Sequence, residues 1–140
     1  MAGFAQAQIP PFPLVNFKIE EGVIAKPLTA TSDALRGQAI VLDRNLSSCV
    51  LCHVVPDPLN RPMGNIAPPL MGVGARLSIG QMRLRMVDST KINPQSIMPA
   101  YYRIDDLHQV APAWRGRSIL DAQQIEDVVA YLLTLKEASR

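Results

Sequence analysis

The sequence predicts an all-α fold of short helices joined by long loops. Three observations carry that prediction. Residues 121–133 hold a complete helical stripe, no stretch shows a strand or internal-repeat pattern, and all twelve prolines lie outside the helical segments. Two parts follow, a proline-rich N-terminal arm over residues 1–31 and a helical domain over 32–140.

The arm contains Pro10, Pro11, Pro13 and Pro27 without helical periodicity. It reads either as an extended segment lying on the core or a partner, or as a floppy terminus. A first helix is expected over about 32–43, with Leu35, Ala39 and Leu42 on one face. Gly37 within it lowers helix stability, so a close approach to another backbone is expected there. Residues 45–75 read mostly as loop, broken by Pro56, Pro58, Pro62, Pro68 and Pro69. A second helix begins at Ser78, where Gln81 three residues on gives a capping-box pattern, and Ile79, Met82 and Met86 mark its buried side. A loop over 91–118 carries Pro94, Pro99 and Pro112. The last helix is capped by Asp121 and Gln124 and striped by Ile125, Val128, Val129, Leu132 and Leu133. Loops this long need something to organise them.

The 140 residues suit one domain with an ordinary core. They are 48% hydrophobic but only 5% aromatic, and the formal net charge is +2. No basic run is interleaved with aromatics, so nucleic-acid binding has no support. No stretch approaches the ~18 consecutive apolar residues of a membrane span. Ala5-Gln6-Ala7 resembles the small-residue end of a secretory signal, so the chain reads as a mature or nearly mature exported protein.

The two cysteines lie in Cys49-Val50-Leu51-Cys52-His53, the C-x-x-C-H haem-attachment pattern. Thiols at this spacing can add to two vinyl groups on one porphyrin edge, which places the adjacent imidazole beneath the iron. Competing readings are a thiol redox pair and a zinc site. A structural zinc site needs a second ligand pair, and there is no further cysteine, the only other histidine being His108. One covalently attached haem c is therefore the expected cofactor, with His53 as an axial ligand. A planar cofactor would also fill a core poor in large rings and organise the long loops, and bacteria attach such haems after export.

The segment from Gly64 to Arg76, GNIAPPLMGVGAR, resembles the G-P-x-L-x-G-x-x-G-R stretch of class I cytochromes c. That resemblance implies the class I cytochrome c fold. It also implies that the Pro68 carbonyl accepts the His53 ring N–H, that Leu70 packs on the haem face and that Arg76 reaches a propionate. The sixth iron ligand is expected downstream, from Met63, Met71, Met82, Met86, Met98 or His108. Met82 and Met86 lie one turn apart on a helix face and suit core filling. Met63 and Met71 lie close to the proximal side. Met98 precedes Pro99, which favours an extended loop, and Met98 is the favoured ligand. His108 would give bis-histidine ligation. Arg103, Arg115 and Arg117 remain open between an acidic partner, propionates and solvent.

The motifs above, with Ile97-Met98-Pro99-Ala100-Tyr101-Tyr102 and the final helix IEDVVAYL, resemble the SoxX family of the sulfur-oxidising system over residues 33–136. The resemblance implies a periplasmic partnership with a SoxA-like cytochrome. Such a pair oxidatively joins thiosulfate to a cysteine of the SoxYZ carrier, with the chemistry at a cysteine-ligated SoxA haem. The SoxX-like chain then accepts the electrons and passes them to a downstream acceptor. It has no spare cysteine and no open position on a His/Met iron, in keeping with a non-catalytic relay. A free-standing diffusible carrier is the alternative, and a haem-free redox domain a more distant one.

Overall fold

The computed structural model describes residues 13–138, so Pro10, Pro11 and the signal-like Ala5-Gln6-Ala7 lie outside the described residues. Among the described residues four α-helices form the frame: α1 (Ala34–Leu42), α2 (Val73–Arg76), α3 (Ile79–Asp88) and α4 (Ala122–Thr134). Single 3-10 turns occur at Cys49–Leu51, Ser89–Lys91 and Pro112–Trp114. Among the described residues the only extended pairing is an isolated bridge between Glu20 and Val23.

The helix starts follow from their caps. Asp33 accepts from the Arg36 N–H at the start of α1. Ser78 with Gln81, and Asp121 with Gln124, form reciprocal capping boxes that satisfy exposed N–H groups at α3 and α4. Ile125, Val128, Val129 and Leu132 are all buried along α4, while Met82 and Met86 are buried on α3. Ile79, expected on the buried side, is instead exposed, because it stands at the first turn of α3 beyond the packed face.

The buried face of α1 differs from the sequence expectation. Gly37, Ile40 and Val41 are buried, whereas Leu35 is 78% exposed. The cause is the close crossing of α1 and α4. A Cβ on Gly37 would overlap the Asp127 carbonyl and lie 2.9 Å from Tyr131 Cβ. The hydrogen-only side chain therefore sets the contact stripe, and the stripe through Leu35 and Ala39 turns outward. The short helix α2, within the segment read as loop, was not foreseen, being a single turn too brief to show periodicity.

Two charge systems join the helices, one buried throughout and one pairing an exposed arginine with a buried carboxylate. Arg83 donates to both carboxylate oxygens of Glu126, Nε–Oε1 at 2.6 Å and Nη2–Oε2 at 3.0 Å, tying α3 to α4. Arg36 likewise grips Asp127 at 2.7 and 2.9 Å, tying α1 to α4. The arm joins the same systems: the Ile24 carbonyl accepts from Arg83 at 2.6 Å, and the Leu28 N–H donates to Glu126 at 2.9 Å. Ile24 and Leu28 are buried in the core.

Candidate haem site

The C-x-x-C-H segment folds as a 3-10 turn held from several sides. The His53 N–H donates to the Cys49 carbonyl at 2.9 Å, closing the turn upon itself. Gly64 N–H donates to Val50 O at 2.9 Å, Ala67 N–H to Cys52 O at 3.0 Å, and Leu70 N–H to Val54 O at 2.9 Å. The chain after the motif thus returns alongside it. A Cβ on Gly64 would overlap the Leu51 carbonyl, so glycine is required where the two backbones meet.

This return places Pro68 beside the imidazole, with His53 Nδ1 2.6 Å from the Pro68 carbonyl oxygen. A carbonyl only accepts, so this contact puts the ring proton on Nδ1 and leaves the Nε2 lone pair free. An imidazole held in one tautomer and one orientation is what metal ligation requires. Leu70 is half-buried and packs against the hydrophobic core. Arg76 donates to its own loop, Nη1 to Met71 O at 2.8 Å and Nη2 to Pro69 O at 3.3 Å.

Cys49 is buried, Cys52 is half-buried, and both thiols are free. Burial pushes the Cys49 thiol above its ordinary range, only partly opposed by hydrogen bonds from Ser47 and Tyr101. A reactive redox thiol needs the opposite environment, one that stabilises the thiolate. Among the described residues there is no cluster of three or more His, Cys, Asp or Glu side chains suited to a bare metal ion. Two free thiols on one turn, followed by an imidazole with an available Nε2, fit a covalently attached haem.

The methionines separate by environment. Met82 and Met86 are buried in the core of α3. Met63 Sδ accepts from the Val55 N–H at 3.4 Å, and Met71 is half-buried beside the proximal segment. Met98 is half-buried on the loop after α3, and its backbone is fixed at both ends. Its N–H donates to Ser96 Oγ at 3.3 Å, and its carbonyl accepts from Ser89 Oγ at 3.2 Å. His108 is exposed.

Three consecutive residues then lock the Met98 loop. Buried Tyr101 donates its hydroxyl to Ser47 O at 2.6 Å, just before the haem-attachment turn. Burial raises the Tyr101 phenol well above its ordinary range, so it remains a protonated donor. The N–H groups of Tyr101 and Tyr102 reach Met86 O and Val87 O on α3, both at 3.2 Å. Arg103 Nη1 donates to Asp88 Oδ2 at 2.9 Å. The other two arginines left open by the sequence stay local, Arg115 on Val110 O at 3.4 Å and Arg117 5.3 Å above the Trp114 ring. Ser47, Ser89 and Asp88 escaped the sequence reading. Only the position of Ser47 two residues before Cys49 signalled a role there.

A family model described as cytochrome c matches residues 34–136. The chain belongs to the cytochrome c family. Membership implies a covalently bound haem c and a role in electron transfer, and gives the observed helical architecture its family name. No curated protein matches the chain. Among solved structures, this cytochrome is similar to a chain of SoxXA from P. pantotrophus, with 34% identity and a TM-score of 0.78. The match covers 86% of this chain and 95% of that one. Within the family, the likeness is thus to the SoxX type, as the sequence motifs implied. No helix among the described residues is long and apolar enough to cross a membrane.

Proposed function

We propose that this cytochrome is the electron-transfer subunit of a SoxAX-type thiosulfotransferase in the periplasm. It carries one haem c, joined through Cys49 and Cys52 and ligated by His53 and Met98. The partner is a SoxA-like cytochrome, which releases electrons when thiosulfate is joined to a cysteine of the SoxYZ carrier. This chain takes up those electrons and delivers them to a downstream acceptor.

The haem site rests on the 2.6 Å contact between His53 Nδ1 and Pro68 O, which frees Nε2 for the iron, and the SoxX-type role is supported by the 34% identity to the SoxXA chain over 86% of this one. When bound, the haem supplies a one-electron iron couple. The residues around it hold rather than transform. His53 is fixed in one tautomer, Met98 is fixed by its own backbone, and neither cysteine is left for substrate once both thioethers form. With His53 and Met98 both holding the haem iron, thiosulfate would find no free position there, and the sulfur chemistry would fall to the partner. A soft methionine ligand in addition to histidine would also raise the reduction potential, as an electron acceptor needs. Leu70 would pack on the ring face, and Arg76, whose terminal nitrogens donate to the Met71 and Pro69 carbonyls, would reach a propionate with its remaining N–H groups.

Purification under native conditions from a thiosulfate-grown source tests this. A stable complex with a second, cysteine-ligated cytochrome is the expected result. A monomer that exchanges electrons with many acceptors and binds no such partner would contradict it and make the chain a diffusible carrier.

A further inference from the structure

The N-terminal arm follows a definite path that the helix pairing alone does not require. From α1 it runs past Asp127, whose carboxylate accepts from the Asp33 N–H at 2.7 Å, and then past Glu126 and Arg83. Ile24 N–H donates to Gly80 O at 3.1 Å at the start of α3. The chain then reverses at Glu20–Val23, whose two N–H groups and carbonyls pair at 3.0 Å. Beyond this reversal its described part meets one residue: Val15 N–H donates to Tyr102 Oη at 2.8 Å, and the Phe17 ring lies 6.3 Å from the Tyr102 ring at 45°.

Tyr102 is 2% exposed and lies four residues after Met98. The inner side of this loop is already held by α3, through Val87 O, and by Ser47. The arm adds a third hold, on Tyr102. A loop that presents a weakly bound thioether must resist opening, because local opening exposes the iron to competing ligands.

We propose that the arm is a strap that positions the Met98 loop, with Phe17 and Val15 seated on Tyr102 to keep the methionine on the iron. This rests on Met98 being the sixth ligand. Phe17 and Tyr102 are positioning residues in this account. They act through the loop, lowering the frequency with which it opens.

The test uses oxidised full-length holoprotein and imidazole as the competing ligand, with no change in iron oxidation state. Phe17→Ala and Tyr102→Phe each remove one contact and leave the core helices intact. Each is expected to raise the apparent imidazole affinity about three- to tenfold, the range of one lost hydrogen bond or apolar contact. Leu28→Ala, on the same arm but beneath Glu126, is expected to lower thermal stability while leaving imidazole affinity within about twofold of the parent. Unchanged affinity in both Phe17→Ala and Tyr102→Phe would overturn the strap. An equal rise in Leu28→Ala would also overturn it, by making the effect one of general stability. Met98→Ala separates the two levels. If it keeps the methionine-to-iron charge-transfer band, the ligand assignment fails and takes the strap with it. If it loses the band while Phe17→Ala and Tyr102→Phe match the parent, only the strap fails.

Discussion

Around His53 the holding contacts all come from neighbouring chain, whereas the Met98 loop adds to its near contacts from Ser96, Ser89 and α3 two anchors from distant parts of the molecule. Pro68 reaches His53 across 15 residues, and the supporting contacts from Gly64, Ala67 and Leu70 are backbone to backbone. On the other side, Tyr101 reaches Ser47 across 54 residues and Tyr102 reaches Val15 across 87. These distal anchors are mostly side chains. One side is therefore a preformed local cup for the imidazole. The other is a long loop whose position depends on the folded state of everything around it. A rigid histidine and a conditionally placed methionine are a sensible pairing, since covalent attachment at Cys49 and Cys52 would need only the local turn.

The largest expected effect lies on the local side. His53→Ala leaves the iron without its proximal ligand next to the two attachment cysteines. The yield of covalent holoprotein, read from the haem absorbance per mole of chain, is expected to fall at least about tenfold. Distal variants are expected to retain covalent haem, and equal losses on the two sides would break the contrast.

Next comes the clamp that the long-range side depends on. Glu126→Ala leaves Arg83, 2% exposed, as a buried unpaired cation and frees the Leu28 N–H. Breaking a buried pair this way costs about 3–5 kcal/mol, measurable by urea unfolding of the holoprotein. A loss below about 1 kcal/mol would mean that water reaches the pair. Tyr101→Phe is a smaller change. It leaves the Ser47 carbonyl without its donor, and a loss of about 1–2 kcal/mol is expected in the same assay, with covalent haem content unchanged.

The smallest effect is a pH dependence. Burial would raise the Asp127 carboxyl, but the Arg36 guanidinium, with the Asp33 N–H and Gln123, brings it below its ordinary value. A carboxylate depressed in the folded state contributes stability that is complete above its unfolded pKa of about 3.9. That contribution disappears as pH falls through the lower folded value. Asp127→Asn is therefore expected to be less stable than the parent at pH 6, with the gap narrowing below pH about 4. A gap independent of pH would show that Asp127 acts through shape rather than charge.

The same local-versus-distant division explains what was legible in the sequence. The haem-attachment pattern, the Gly64–Arg76 stretch and the two capping boxes are each written within a few residues, and short-range geometry realises them. The stripe of α4 was legible because one long face repeats without interruption. The face of α1 was misread because a glycine, which hydropathy patterning ignores, decides the crossing with α4. Arg83, Glu126, Asp88 and Asp127 look like surface charges in a single sequence. Their burial depends on partners such as Glu126 for Arg83, 43 residues away, and Asp127 for Arg36, 91 residues away. No local pattern announces such pairs.

The central claim is that Met98 and His53 together hold one haem iron. Proton NMR of the reduced protein, with methyl-labelled methionine, tests it most directly. A methionine bound to the iron lies over the porphyrin and has its methyl resonance shifted strongly upfield by the ring current. The account predicts one such resonance among the six methionines, absent in Met98→Ala and present in Met71→Leu. An upfield methyl that survives Met98→Ala, or none in the parent protein, would contradict it.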